Sequence, residues 1–555
     1  MEKSELPATC VLPTLQEFPD DNIHDAATPR LTARKFMVLF AMSILWIASQ
    51  IPLYLYGAVI PILIADLGGA DRYVWITLSN FIPLAAITPF VGQLSDLFGR
   101  RNLSLFAAAL LVIGNIVCGT SHTMNIFIAG MAIMGCGAGV LELTALAVAG
   151  EMAPTQKRGI YVGCIIMTVI PYAPSVLYAQ WVAVYSWRWL ALWIGGWSFV
   201  GLILTAIFFF PPKKEREAEL HWRQALSQID FIGGLLSTAG FTLFLAGLTW
   251  GGQNPWTSPR VLVPFFLGLF FLVAFGLWEK HGALSPMFPS RLKQNPRALF
   301  SVLGVTAVAG AVFFTVLLCW PSEYSYVYAI NGDPVSIGLG SLPIAFCFLG
   351  GSGIAAFLLS YFKTHVKLIL VIACICMTAG NGALAAARID NLNVMFLPLV
   401  LTCLGCGAVI VPCQIIVTIV CPDDLIATAI ALTIMIRFVG GAIGYAIYVS
   451  IQTQKFSETS LAFIVPAASQ VGITDPNVIQ QIILLVASNL GEQVKGLVQT
   501  EQQWEALMYA GREAFAASYS YVYYCAIAFG VIATAAASFL PDISALMDHH
   551  IAVQY

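Results

Sequence analysis

Runs of mostly apolar residues, each long enough to cross the hydrocarbon core of a bilayer, recur along nearly the whole chain. A spanning helix needs about 20 such residues. Fourteen runs of this kind lie near 36–63, 73–94, 103–120, 124–149, 159–181, 187–210, 231–250, 261–279, 298–320, 335–361, 367–388, 394–420, 425–451 and 516–540. Lipid offers no water to the backbone, so each run is expected as a helix and the chain as an all-α polytopic membrane protein. Composition agrees, since 59% of the 555 residues are hydrophobic and 10% are charged, against about 25% charged in soluble domains. A soluble globular enzyme is excluded. Breaks such as Gly68-Gly69-Ala70-Asp71, Pro211-Pro212-Lys213-Lys214 and Asn331-Gly332-Asp333-Pro334 carry the chemistry of turns.

Lysine and arginine in the loops set the orientation. With the N-terminus inside, eighteen of the 26 fall in inner loops and tails, seven fall outside, and Arg437 lies within a span. Both termini are therefore expected in the cytosol. The first 30 residues hold six carboxylates against Lys3 and Arg30, the wrong charge for a presequence, so residues 1–35 read as an acidic cytosolic tail. A net charge of -3 gives no attraction to nucleic acid. One long polar break, 452–515, is expected outside. Within it, Pro476 to Val486 has helical spacing but is too short to span, which predicts an amphipathic helix over the outer face.

The cysteines sit largely in apolar runs, where they behave as small hydrophobes. Cys403-Leu404-Gly405-Cys406 has no second pair and no neighbouring His, so packing is favoured over metal binding. Neither metal nor cofactor is expected. No Gly-Lys pair occurs, which excludes the phosphate-binding loop of an ATP-driven engine. Ionisable residues inside spans are costly and few. Glu142 and Arg437 are the deepest, and a carboxylate can bind and release a proton whereas a guanidinium stays charged. The competing reading for both is a satisfied structural pair. Asp230, Glu279 and Glu323 fall at span ends, where capping or interface anchoring is expected.

Between the second and third spans stands Gly92-Gln93-Leu94-Ser95-Asp96-Leu97-Phe98-Gly99-Arg100-Arg101. This resembles the signature loop of the major facilitator superfamily. The glycines would permit tight turns, the arginines would hold the loop at the inner headgroups, and Asp96 would make a contact that breaks and reforms as two bundles rock. Gly92, Asp96, Gly99, Arg100 and Arg101 are thus candidate gating residues, against the plainer reading of a basic turn. Gly135-Cys136-Gly137-Ala138-Gly139, then Glu151-Met152-Ala153-Pro154 and Arg158-Gly159, resemble the fourth helix and following loop of drug:proton antiporters. The chain departs from them in carrying Met131 where those antiporters have an arginine. Their span-five signature is reduced here to Pro171-Tyr172-Ala173-Pro174.

Trp187-Arg188-Trp189, Asp230-Phe231-Ile232-Gly233, Leu248 to Trp256 and Ile436 to Tyr445 resemble fungal fourteen-helix facilitators. Trp320-Pro321-Ser322, Asp333-Pro334 and Ile337-Gly338 look like the trichothecene efflux pump group in particular. The resemblance implies two six-helix bundles, residues 36–210 and 298–540, with two inserted helices and cytosolic linkers at 211–297 and a short tail at 541–555. It further implies a substrate site between the bundles near the midplane. Gln50, Asn80, Tyr172, Trp320 and Gln414, with Glu142 and Arg437, are the candidate cavity residues. So short a polar list suits a bulky, mostly uncharged organic molecule. The expectation is a monomeric plasma-membrane exporter of such a compound, driven by proton antiport. Siderophore-iron uptake on the same architecture is the alternative.

Overall fold

The computed structural model describes residues 33–543 apart from 70, 153–157, 212–229, 253, 284–285, 287–290, 292–294, 330–332, 423–424 and 488–490, and apart from the side chains of 93, 96, 97, 158, 159, 360, 363, 491 and 492. The expected tails and much of the 211–297 linkers lie outside the described residues. The N-terminal bundle comprises α1 (Ala33–Gly57), α2 (Ile60–Leu67), α3 (Val74–Ile87), α4 (Val91–Phe98), α5 (Arg100–Gly119), α6 (Met124–Met152), α7 (Arg158–Met167), α8 (Ser175–Tyr185) and α9 (Arg188–Phe208). An inserted hairpin follows, α10 (Phe231–Trp250) and α11 (Pro259–His281). The C-terminal bundle comprises α12 (Pro296–Glu323), α13 (Pro334–Gly340), α14 (Leu342–Tyr361), α15 (Val366–Ala383), α16 (Leu392–Val420), α17 (Ile426–Gln470), α18 (Pro476–Ala487), α19 (Gly491–Val494) and α20 (Glu501–Ser538).

Among the described residues, thirteen helical segments are long and apolar enough to cross a membrane. The remaining expected span is interrupted rather than missing. Proline at position 89 cannot continue the helical ladder, so α3 passes through a 3-10 turn at Thr88–Phe90 before α4 resumes. Within the first bundle α6 packs on α5, α3 and α1; within the second α17 packs on α12 and α20. The α12–α17 contact is close because Gly310, Gly440 and Gly444 bring backbone against backbone, the small-residue packing that drives helix association in lipid. The inserted hairpin leans its α10 on α3 and α17, beside the seam. The seam itself is made by α3 and α6 against α17, α8 against α13, and α7 against α14.

The polar stretch 452–515 is mostly not a loop. Helix α17 runs unbroken for 45 residues, about 67 Å at 1.5 Å per residue, roughly twice the hydrocarbon thickness. Helix α20 starts at Glu501 and its first turns pair with the end of α17. Phe456 stacks on Phe515 at 4.1 Å, and the Thr459 hydroxyl donates to the Ala514 carbonyl at 2.9 Å. Falling hydropathy marks where the hydrocarbon ends, whereas the helix ends where its hydrogen-bond ladder does. Helix α18 forms where helical spacing predicts it and buries Ile479, Ile482 and Val486.

Candidate functional site

Glu142 and Arg437 reach the seam from opposite bundles. Each lies deep in its helix, Glu142 ten residues before the end of α6 and Arg437 eleven after the start of α17. Glu142 is fully buried and Arg437 nearly so. An Arg437 Nη2 to Glu142 Oε1 contact joins them. It is a single contact, with Glu142 Oε2 and Arg437 Nε buried and unpartnered. The guanidinium also lies 4.8 Å from the Phe438 ring centroid. Around the pair stand Trp46, Gln50, Tyr54, Phe348 and Gln414. The space they leave is about 20 Å³, room for one water and not for an organic molecule. Gln50 bonds Ser49 and Tyr54, while the Gln414 amide nitrogen is buried without a partner.

Three phenylalanines close this space on one side. Phe81 of α3 packs on Phe314 of α12 at 4.6 Å and on Phe438 of α17 at 5.4 Å, and Phe314 and Phe438 are 5.1 Å apart. One turn beyond Phe314, Leu318 lines a larger cavity of about 270 Å³ between the bundles. The bundles therefore part toward the α18 end and meet across the phenylalanines and the ion pair.

The signature loop is built differently from its expected form. Gly99 takes φ 79° at the turn from α4 to α5, where a side chain would be strained. Gly92, expected at a turn, is helical within α4. Arg100 grips Glu151 at the end of α6 in a fork, with Nη2 to Oε1 at 2.8 Å and Nη1 against Oε2. Arg101 instead donates to the Ala206 carbonyl at 2.7 Å and lies over Phe210 at 4.2 Å, tying α5 to α9. The Asp96 side chain lies outside the described residues. Glu151, the acidic partner, shows in the sequence only as a carboxylate closing an apolar helix beside a doubly basic turn.

Of the other candidates, only Gln50 and Gln414 line the space around the ion pair. The Asn80 amide donates to the Met131 carbonyl at 3.2 Å and fastens α3 to α6. Tyr172 accepts from the Trp193 indole at 3.2 Å inside the first bundle. The Trp320 indole donates to the Gly340 carbonyl at 3.0 Å and holds α13 against α12. Asp230 caps α10 by accepting from the Gly233 amide at 2.8 Å. Glu323, expected as an anchor at a span end, is instead fully buried and accepts from the Tyr523 hydroxyl. At the other end of the first bundle Asp66 accepts from the Trp187 indole and pairs with Arg188, each at 2.8 Å. The indole hydrogen bond first, and the guanidinium after it, hold the Asp66 carboxyl below its ordinary range despite partial burial.

Two helical bundles joined at a seam, a basic turn with a left-handed glycine between the second and third spans, and a buried ion pair across the seam define a transporter of the major facilitator class. It is not an enzyme. The chain matches the fungal trichothecene efflux pump (TRI12) family over residues 4–555 and belongs to that family. It is 25% identical over 541 residues to the trichothecene efflux pump TRI12 of Fusarium sporotrichioides, covering 94% of this chain and 88% of that one. With the MFS-type efflux pump LUC4 of a Fusarium species it shares 28% over 436 residues, 76% of this chain and 75% of the relative. In backbone it resembles a D-xylose-proton symporter, with TM-score 0.52 and 14% identity over 75% of this chain and 90% of that one. The human organic anion transporter MFSD10 also matches, with TM-score 0.52 and 12% identity over 90% of this chain and all (100%) of the other. At such identities the solved structures speak for the fold alone.

Proposed function

We propose that the protein exports a hydrophobic, mostly uncharged organic compound by proton antiport, with its termini in the cytosol and the α18 end outside the plasma membrane. The observation that carries the reading is the Glu142–Arg437 contact across the seam. A buried pair with unsatisfied atoms on both partners is poor as a structural fastener, because desolvation offsets much of its attraction. The same incompleteness suits a contact that must open in every cycle. When the bundles rock apart, Glu142 loses its counter-charge and gains access to water; a proton can then take the place of Arg437. Protonation frees the seam to open toward one side and deprotonation lets it close again. Family membership supports export, as relatives bear the names of efflux pumps for fungal natural products.

The test is uptake into inside-out proteoliposomes with an acidic interior. A neutral trichothecene should accumulate against its gradient and the accumulation should collapse with an ionophore. If the trichothecene does not accumulate, and right-side-out proteoliposomes with an acidic exterior accumulate a ferric siderophore, the uptake reading replaces this one.

A further inference from the structure

We infer that the cavity at the α18 end is a second ligand site, distinct from the space around the ion pair, and that α18 is its lid. Both bundles contribute to it: Ile60, Pro61 and Tyr73 from the first, residues of α12, α17 and α20 from the second. Its volume, about 270 Å³, falls just short of the range for drug-sized ligands, whereas the space around the ion pair admits a single water. The phenylalanine layer separates the two.

Its chemistry selects the ligand. Tyr73, Tyr326, Tyr445, Phe456, Phe515 and Tyr519 surround it, and none of the described residues lining it carries a formal charge. Ring faces favour flat or polycyclic apolar bodies. The tyrosine hydroxyls, Gln452 and Thr453 supply scattered hydrogen bonds for neutral oxygen functions. An anion would meet no fixed countercharge in this wall and would lose its hydration on entry. The class is therefore a neutral, oxygen-bearing polycyclic compound.

The lid is α18, whose Leu484 and Ala487 line the cavity. It is fastened lightly. Its other face buries Ile479, Ile482 and Val486, and at the cavity edge the Tyr326 hydroxyl donates to the Ala487 carbonyl at the long distance of 3.5 Å. Contacts of this kind can separate without unfolding either bundle. A compound that has passed the phenylalanine layer would rest here until α18 lifts. The export reading supplies only that direction of passage; occupancy of the cavity does not depend on it.

The test is equilibrium binding to the full chain in nanodiscs with no ion gradient, using the neutral dye Nile red and the anionic dye anilinonaphthalene sulfonate. Wild type should bind Nile red saturably. Ala487→Trp, which fills the cavity from the lid, and Thr453→Lys, which places a cation in its wall, should each weaken that binding at least about tenfold. Thr453→Lys should also favour the anionic dye. Unaltered melting temperatures would show that the two cavity variants fold. Saturable binding indifferent to both cavity variants overturns the site. A failure of proton coupling would appear in gradient-driven uptake and leave these binding results untouched.

Discussion

Glu142 and Arg437, 295 residues apart in sequence, share a single nitrogen-to-oxygen contact across the seam between the bundles, and each keeps one buried polar atom without a partner. Fastening and mobility can be separated by substitution. Glu142→Gln alone should lower stability by about 3 kcal/mol, because it strands the Arg437 charge. Glu142→Gln combined with Arg437→Met should recover most of that loss, since neither charge is then buried. Denaturant melts in one detergent would compare the variants. Arg437→Met alone completes the cycle, and a double-variant loss equal to the sum of the two single losses would show that the pair is not energetically coupled.

Transport divides the same residues in another way. Glu142→Gln keeps size and hydrogen-bonding capacity but cannot titrate, so uphill uptake should fall to the passive level while downhill exchange stays measurable. Substrate counterflow in proteoliposomes, with and without a pH gradient, reads both. Unchanged gradient-driven accumulation would return Glu142 to a structural role.

The class of fold was legible because hydropathy reports the one property on which membrane spans depend. Glu142 and Arg437 stood out for the complementary reason, as charges where charge is expensive. Their partnership was not legible, since a contact across 295 residues leaves no local trace. Asn80, Tyr172 and Trp320 were polar at the right depth but faced the wrong way; each satisfies a neighbouring helix inside its own bundle. Glu323 reads as an anchor in the sequence because apolar residues thin out there. The chain in fact continues through a π-helical turn at Tyr324–Tyr328, and α20 covers the carboxylate.

The Arg100–Glu151 fork joins the start of α5 to the end of α6 at the turn expected to gate the cycle. Arg100→Lys keeps the charge and discards the fork; it should slow turnover several-fold and lower the melting temperature. Asp96→Asn should slow turnover with little change in stability. Initial rates of exchange and thermal melts on both variants separate the two roles, and equal melting losses would make Asp96 a structural residue as well.

Acid should loosen the clamp at Asp66. Its carboxyl is held below the ordinary value by Trp187 and Arg188, so its stabilising contribution is complete above the unfolded value of about 3.9. That contribution is lost as pH falls through the depressed folded value. Wild type should therefore melt above Asp66→Asn at neutral pH, and the gap should narrow as pH falls below the unfolded value. A gap constant with pH would mean that the indole and guanidinium contacts do not discriminate between the two protonation states.

The phenylalanine layer makes the sharpest demand, since it lies between the ion pair and the wider cavity. Phe81 is the only one of the three rings on the first bundle, and it meets both Phe314 and Phe438. Rocking must part this ring from the other two before anything larger than water can pass. Phe81→Leu keeps an apolar side chain but loses the ring edge that fills the gap, at a cost of about 1 kcal/mol in packing. Water should then reach Glu142 from the α18 end while the bundles remain joined. Proton flux without substrate should rise several-fold in proteoliposomes carrying an internal pH dye, and the ratio of substrate exported to protons admitted should fall. Phe81→Tyr, which keeps the ring, should restore tight coupling if the layer works by filling space. A Phe81→Leu protein as proton-tight as wild type would place the seal elsewhere, at the ion pair itself.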